Sequence, residues 1–188
     1  MITPEGLITA SITPFLEDYS IDYEGFRDHL KAQVNANVNG VLILGTTGES
    51  PTITFSERNK LIAITREILP SHVSLLVGCA TNDTSSTIDL CLHAQEMQAD
   101  GIVLVSPYYN VPTQKGLFTH FEKIALKTSL PIILYDHPTR TGVSLGENLV
   151  LELAQIPNIV GIKEGSGNLE RLNTLTSRLL ETNTKLAI

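Results

Sequence analysis

The chain has 188 residues, of which 42% are hydrophobic and 18% are charged. This composition supports a sizeable buried core and argues against a disordered or coiled-coil chain. The formal net charge of −7 disfavours binding to nucleic acid or to an anionic membrane surface. No apolar run approaches the roughly 18 residues of a membrane span, and the first residues lack a basic segment before an apolar one. We therefore expect a cytoplasmic enzyme or binding domain that acts without membrane or nucleic acid.

Six short apolar runs alternate with amphipathic segments, and each pair spans about 30 residues, the size of one strand-plus-helix unit. Because the runs are apolar at consecutive positions, they predict strands that are buried on both faces. A seventh strand is predicted to begin at Lys185–Ile188. The six predicted strands are Leu7–Ile12, Val41–Leu44, Val73–Val77, Ile102–Val105, Ile132–Tyr135 and Ile159–Ile162.

The segments between the strands carry apolar residues at helical spacing, which predicts intervening helices. Thr54 with Glu57 and Ser144 with Glu147 have the spacing of a capping box, and Thr84 is a candidate N-cap. Strict alternation of strand and helix predicts a parallel sheet, either open and doubly wound or closed into a barrel. Without other information the open sheet is the first expectation, because a closed eight-unit barrel usually needs about 250 residues. No linker or charge block divides residues 1–188, so we expect one domain.

Both architectures place functional sites at the carboxyl ends of the strands. The second strand is followed by Gly45–Ser50 (GTTGES), where two glycines permit a tight turn that exposes amide groups and two threonines add hydroxyls. Such a turn can hold a carboxylate or a small phosphate; the alternative is an ordinary polar turn. It is not a nucleotide fingerprint, since neither the Gly-x-Gly-x-x-Gly spacing nor a P-loop lysine is present.

Tyrosines stand at or just after the ends of the fourth and fifth predicted strands, in Pro107–Asn110 (PYYN) and in Tyr135–Gly142 (YDHPTRTG). A tyrosine at a strand end can pass a proton when its hydroxyl is part of a relay. Arg140 in the second segment can hold a carboxylate through two parallel hydrogen bonds. The alternative for each residue alone is a packing tyrosine or a solvated arginine.

Lys163, at the end of the sixth strand, is the most informative residue. A lysine within an apolar strand is costly unless it is neutral or paired, and burial lowers the pKa of its amine. A neutral amine is a nucleophile that forms Schiff bases with carbonyl substrates. The alternative is a lysine that extends into solvent at the strand end. Glu164 is expected on the other side of the strand, in a structural role. The residue set suits carbonyl chemistry through an imine, and no His/Asp/Glu cluster has metal-ligand spacing.

Four segments carry a family resemblance: Gly45–Ser50, Pro107–Asn110, Tyr135–Gly142 and Gly161–Gly167 (GIKEGSG). In these motifs and their order, the chain resembles the dihydrodipicolinate synthase family of pyruvate-dependent class I aldolases. The resemblance implies an α/β (β/α)₈ TIM barrel followed by a small helical region, and it overrides the open-sheet expectation. Residues 1–188 would then form a single incomplete barrel domain of about six β/α units plus the start of strand seven, truncated at its C-terminus.

The resemblance also implies a reaction and its catalytic residues. Pyruvate would condense with L-aspartate 4-semialdehyde to give 4-hydroxy-tetrahydrodipicolinate, in the diaminopimelate branch of lysine biosynthesis. Lys163 matches the Schiff-base lysine and Tyr135 the tyrosine that shuttles protons. Thr46 and Tyr109 match the relay partners of that tyrosine, with Tyr109 reaching across from a neighbouring subunit. No metal or organic cofactor is implied beyond the covalent imine of pyruvate on Lys163.

Substrate binding is implied at three further residues. Thr47 matches the threonine that binds the pyruvate carboxylate, Gly45 lies in the same turn, and Arg140 matches the arginine that holds the carboxylate of the aldehyde substrate. The family also implies a homo-oligomer, either a dimer or a tetramer. Asp136-His137 stands where the synthases usually carry Asn-Val, which could change the polarity of the site.

Two alternatives stay open. The chain could be another pyruvate-dependent aldolase, of the N-acetylneuraminate lyase or keto-deoxy sugar acid type, although Arg140 and the Tyr-Tyr-Asn motif favour the synthase. It could also be a truncated, inactive fragment that serves at most as an assembly partner.

Inhibition by L-lysine is expected to be weak or absent. Asn82 and Tyr108 match the lysine pocket, but two histidines and a glutamate of lysine-sensitive members are replaced. The replacing residues are Phe55, Arg58 and Ser86.

Overall fold

The computed structural model describes residues 4–188. Six strands form one sheet in which every neighbouring pair is parallel, and their order in space is the order of the chain. A doubly wound sheet reverses its strand order near the middle, so the expectation of a doubly wound sheet is wrong. The strands are β1 (Ile8–Ala10), β2 (Gly40–Ile43), β3 (Ser74–Gly78), β4 (Gly101–Val105), β5 (Ile132–Asp136) and β6 (Ile159–Glu164).

Helices connect the strands. The predicted capping box of Thr54 and Glu57 is present at the start of α2. The helices are α1 (Tyr23–Asn35), α2 (Phe55–Ile68), α3 (Thr84–Glu96), α4 (Gln114–Ala125), the four-residue α5 (Pro138–Thr141), α6 (Glu147–Leu153) and α7 (Leu169–Glu181), with a short 3₁₀ turn at Ser50–Thr52.

Two predicted helix caps are wrong. Asp83, not Thr84, caps α3, because its carboxylate accepts from the Ser86 amide at 2.7 Å. The capping box of Ser144 with Glu147 does not form: the N-cap of α6 is Gly146, and no side chain caps it. The Ser144 hydroxyl instead donates to a buried carboxylate on β5, at 2.9 Å, which is a better partner than a solvent-exposed helix end.

The sheet is buried on both faces, as the continuous apolar runs predict. Successive residues alternate between an outer face, covered by the helices, and an inner face. The inner face carries a small apolar cluster that ends in Tyr135. Its other buried members are Leu42, Leu76, Val103 and Ile133. Inward-pointing residues at the carboxyl ends of the strands therefore converge on one place.

A β-bulge sets the register of β5 and β6. Ile132 pairs with Ile159 whereas Ile133 pairs with Gly161, so Val160 is an extra residue in β6. After the bulge Tyr135 lies opposite Lys163. Because side chains alternate along a strand, the extra residue decides that this lysine shares the inner face with the tyrosine.

Beyond β6 the chain returns to the sheet at Ala187, which forms a parallel bridge with Gly161. The Ile162 amide donates to the Ala187 carbonyl at 2.8 Å, and the Ala187 amide donates to Val160 at 3.1 Å. This contact lies where the predicted seventh strand would begin.

Within residues 4–188, none of the helices has the length and apolar character that a membrane crossing requires.

Candidate active site

A cavity of about 240 Å³ opens at the carboxyl ends of the strands on the inner face. Six of the seven residues predicted from the sequence as catalytic or substrate-binding line its wall, and the seventh, Tyr109, does not. The six are Gly45, Thr46, Thr47, Tyr135, Arg140 and Lys163. The fold thus brings together segments that are more than a hundred residues apart in sequence.

The turn after β2 presents its threonines to the cavity. The Gly48 amide donates to the Gly45 carbonyl and the Glu49 amide to the Thr46 carbonyl, each at 3.1 Å. Within residues 4–188, no hydrogen bond uses the amides of Thr46 and Thr47. Two adjacent amides and two hydroxyls at a cavity wall form a site that can bind a carboxylate.

A close approach of two backbones shapes the same wall. Leu44, directly after β2, lies in the left-handed region at φ 56°, a conformation that is uncommon for a non-glycine residue. Its carbonyl oxygen then passes close to Gly78: a Cβ atom added there would lie 2.1 Å from that oxygen. Only glycine fits at this position, so the sequence at the end of β3 permits the path of the turn after β2.

Lys163 lies beside Tyr135 on the inner face. Its Nζ atom is 4.3 Å from the centroid of the tyrosine ring. Burial of the amine lowers its pKa, because the charged form loses solvation. The side chain as a whole is nevertheless exposed, since it faces the side of the sheet on which the described chain adds only the short bridge at Ala187. The amine is therefore both accessible and shifted towards its neutral, nucleophilic form.

Tyr135 is shifted in the opposite sense. Burial raises the pKa of its hydroxyl, while the neighbouring polar group of Thr46 and the Arg140 cation partly offset that rise. The tyrosine therefore holds its proton at neutral pH and can donate it. A pair of neighbouring groups whose pKa values move apart in this way is typical of an acid–base site.

Arg140 reaches the cavity from α5, the short helix after β5. The Arg140 amide donates to the His137 carbonyl at 2.8 Å, which fixes the backbone of the turn. None of the ion pairs among residues 4–188 uses its guanidinium. An unpaired guanidinium at a cavity wall is suited to hold the carboxylate of a ligand.

Tyr109 lies outside the cavity of its own chain. Its side chain is 89% exposed, and its backbone is in the left-handed region at φ 70°. The neighbouring Tyr108 lines the cavity instead, and the Asn110 side chain ties the loop down by donating to the Asn82 carbonyl at 2.9 Å. The expectation that Tyr109 serves a neighbouring subunit stays a prediction.

The sequence reasoning missed a charged cluster directly behind the site. Arg171 on α7 contacts both Asp136 and Glu164, the residues that follow Tyr135 and Lys163. Burial is the main cause of a raised pKa at Asp136. At Glu164 burial acts in the same direction, but hydrogen bonds from Ser166 and the Arg171 cation outweigh it, and its pKa is lowered.

Asp136 and His137, which stand where the synthases usually carry Asn-Val, lie in two different environments. The Asp136 carboxylate is fully buried behind the sheet and does not line the cavity. The His137 ring packs edge-on against the ring of Tyr135, with centroids 5.6 Å apart. The replacement therefore changes the support of the site more than the polarity of its wall. In the described part of the chain, no three His, Cys, Asp or Glu side chains are grouped as metal ligands.

Comparisons with known proteins agree on one family. The sequence pattern of the Dihydrodipicolinate synthetase family matches residues 3–187. A 4-hydroxy-tetrahydrodipicolinate synthase from Kosmotoga olearia is 44% identical over 170 residues, which cover 90% of this chain and 58% of that protein. The chain spans less than two thirds of the length of this relative and of the two solved relatives described next.

Solved structures show the same relationship. The 4-hydroxy-tetrahydrodipicolinate synthase of Methylacidiphilum fumariolicum SolV superimposes with a TM-score of 0.88 at 40% identity, over 94% of this chain and 58% of that one. The dihydrodipicolinate synthase of Acinetobacter baumannii, solved with pyruvate, superimposes with a TM-score of 0.91 at 36% identity, over 93% of this chain and 60% of that one. The chain therefore belongs to the dihydrodipicolinate synthetase family.

Proposed function

We propose that this chain carries the catalytic residues of a 4-hydroxy-tetrahydrodipicolinate synthase, a lyase that condenses pyruvate with L-aspartate 4-semialdehyde. One observation carries the proposal: the amine of Lys163 lies 4.3 Å from the Tyr135 ring, and the pKa of the amine is lowered while that of the phenol is raised. An amine whose pKa is lowered, beside a phenol that keeps its proton, is suited to imine formation.

The first step is attack of the Lys163 amine on the ketone carbon of pyruvate. A carbon–nitrogen bond forms, the carbonyl oxygen takes up a proton, and water leaves to give the imine. Tyr135 is placed to supply and recover these protons, and Thr46, which lines the same cavity, would pass them on. General acid–base groups of this kind contribute about 10²- to 10⁴-fold to a rate. The covalent imine itself activates the substrate, so the step uses no metal or organic cofactor.

Pyruvate is held by its carboxylate. Thr46 and Thr47 line the same cavity as Lys163, and within residues 4–188 no hydrogen bond uses their amides. These amides and the Thr47 hydroxyl would bind the carboxylate, with the ketone directed towards the amine. Gly45 makes the turn that carries both threonines. Fixing the ketone near the amine converts a bimolecular step into an effectively unimolecular one.

The second substrate reacts with the enamine. Loss of a methyl proton from the imine gives a nucleophilic carbon, which attacks the aldehyde carbon and forms the new carbon–carbon bond. Arg140, whose guanidinium lacks an ion-pair partner among residues 4–188, binds the carboxylate of this aldehyde. The amine of the condensed product then displaces Lys163, which restores the enzyme.

The same proposal extends to the whole protein. We infer that the six strands are the first six of an eight-stranded barrel, that residues 1–188 belong to one catalytic domain, and that the enzyme is a cytoplasmic homo-oligomer. The sequential strand order and the family membership support the barrel. The exposed, backbone-strained Tyr109 supports the oligomer, because a side chain held away from its own site is available to a neighbouring one.

The test is a comparison of substrates. With pyruvate present, the chain should consume aspartate semialdehyde and leave 2-keto-3-deoxy sugar acids unchanged, and Lys163→Met should abolish the reaction. Cleavage of the sugar acids with no consumption of the semialdehyde would assign the other aldolase class. A well-folded chain that acts on neither substrate, while a full-length relative acts on the semialdehyde, would contradict the proposal.

A further inference from the structure

Two carboxylates lie directly behind the two reacting side chains. Asp136 follows Tyr135 in β5 and Glu164 follows Lys163 in β6, and the register pairs Tyr135 with Lys163 and Asp136 with Glu164. Since side chains alternate along a strand, the first pair lies on the inner face and the second on the outer face. The two pairs are consecutive steps of one ladder.

Arg171 from α7 joins the two carboxylates. Its Nη2 atom is 2.5 Å from Asp136 Oδ2, and its Nε atom is 2.9 Å from Glu164 Oε2. The three side chains are 13%, 0% and 6% exposed, respectively. A planar guanidinium that bonds one carboxylate on each strand fixes the separation of the strands as well as neutralising charge.

The same cluster reaches the segment after Arg140. Asp136 Oδ2 also accepts from the Ser144 hydroxyl at 2.9 Å and from the Leu145 amide at 3.2 Å. Removal of Arg171 would leave two carboxylates buried side by side at the ends of β5 and β6. They would repel each other and draw in water, and the strand ends would move apart.

We propose that Arg171 is a positioning residue, which clamps Asp136 to Glu164 behind the sheet and thereby holds Lys163 against Tyr135 in front of it. The catalytic use of this geometry rests on the proposed function, whereas the geometry itself does not. Displacement of a reacting group by about 1 Å can cost about 10²-fold in rate, so the clamp matters most where two side chains on different strands must cooperate.

The chain offers a matched control and an internal reference. Arg178 on the same helix pairs with Glu147 at 3.3 Å, away from the cavity lining. Lys60 lies over the ring of Tyr23, with its Nζ atom 3.4 Å from the centroid. In protein labelled with ¹³C-lysine, the ε-methylene signals of Lys60 and Lys163 should both be displaced by the ring currents of their tyrosines.

The experiment compares Arg171→Gln with Arg178→Gln. We expect Arg171→Gln to return the Lys163 signal towards its ordinary position while Lys60 stays displaced, and Arg178→Gln to move neither. Arg171→Lys, whose ammonium lacks the two-pronged geometry, should give an intermediate displacement of Lys163. The proposal is overturned if Lys163 keeps its full displacement in both Arg171 variants, or if Arg178→Gln moves it equally.

A second readout separates this inference from the proposed function. Reductive trapping of pyruvate on Lys163 should slow by about 10- to 100-fold in Arg171→Gln, with partial recovery in Arg171→Lys and no change in Arg178→Gln. If the unmodified chain shows the displaced Lys163 signal but traps no pyruvate, the proposed function fails and the clamp is still tested by the NMR comparison. If Arg171→Gln traps pyruvate at the unmodified rate, the clamp has no catalytic consequence and the inference fails.

Discussion

At the scale of single residues, one physical cause, burial, shifts the pKa values of Lys163 and Tyr135 in opposite directions. Burial disfavours whichever form of a group is charged, so it lowers the pKa of an amine and raises that of a phenol. The sequence alone was sufficient to suggest Lys163, because a lysine at the end of an apolar strand is unusual. It could not indicate Arg171, since an arginine on an amphipathic helix is ordinary until its two carboxylate partners are known.

The lowered pKa of Lys163 predicts how its reactivity depends on pH. Because the shift is downwards, the neutral amine is more abundant at any given pH than for a free lysine side chain, whose pKa is about 10.4. Competitive acetylation followed by peptide mass spectrometry should show half-maximal labelling of Lys163 at a pH below that of a lysine model peptide. Half-maximal labelling at or above the model value would contradict the prediction.

The two threonines of the turn after β2 should separate binding from proton transfer. Thr46 lines the same cavity as Tyr135 and is the proposed relay partner of its phenol, so Thr46→Val should lower the maximal rate of pyruvate trapping by about 10²-fold with little change in the half-saturating pyruvate concentration. Thr47→Val should chiefly raise that concentration, because it removes the proposed ligand of the pyruvate carboxylate. Saturation curves for the two variants measure both quantities, and the reverse pattern would exchange the roles.

At the scale of elements, hydrophobic patterning predicted the strands well, because strands buried on both faces leave a continuous apolar signal. Strand ends were less accurate: β2 stops at Ile43 because Leu44 turns into the left-handed region, which no pattern of hydrophobicity reveals. The helix caps failed where a tertiary partner outweighed local spacing. The Ser144 hydroxyl donates to the Asp136 carboxylate, so it does not form the predicted capping box with Glu147.

The approach of the Leu44 carbonyl to Gly78 predicts a strong effect of one methyl group. Gly78→Ala would place a Cβ atom 2.1 Å from that oxygen, so the backbone must shift, and the free energy of unfolding should fall by about 1–3 kcal/mol. Gly45→Ala is the matched control, since its Cβ atom would meet only Leu42 side-chain atoms at ordinary distances of 3.5 and 3.6 Å. Urea unfolding measures both variants, and equal stability of the two would refute the steric argument.

The segments around α2 and α3 predict that L-lysine does not bind tightly. Arg58 is buried, and its guanidinium donates to the Ser50 hydroxyl at 2.8 Å and to the Gly78 carbonyl at 2.7 Å. The Phe55 ring packs on that of His93, with centroids 4.7 Å apart. Neither residue supplies an acceptor for an ammonium group. Isothermal calorimetry should show no saturable lysine binding below the millimolar range, and sub-millimolar binding would show that another set of residues forms the pocket.

At the scale of the whole molecule, the sheet of residues 4–188 ends in two edge strands, β1 and β6. Within the described chain, β1 pairs only with β2, and β6 gains only the bridge to Ala187. A further cavity of about 310 Å³ runs along the inner face towards the amino ends of the strands. Unpaired main-chain groups at a sheet edge favour pairing with a further strand. The sequence motifs identified the family and hence the barrel expectation, whereas composition and length alone pointed to the wrong sheet.

The central claim is that Lys163 forms an imine with pyruvate, and borohydride reduction tests it most directly. Incubation of the folded chain with pyruvate and borohydride, followed by intact mass and peptide mapping, should reveal one reduced pyruvyl group on Lys163. The adduct should be absent in Lys163→Met, and Lys60, which also lies over a tyrosine ring, should remain unmodified. Absence of an adduct from folded protein, or an adduct on another lysine, would contradict the account.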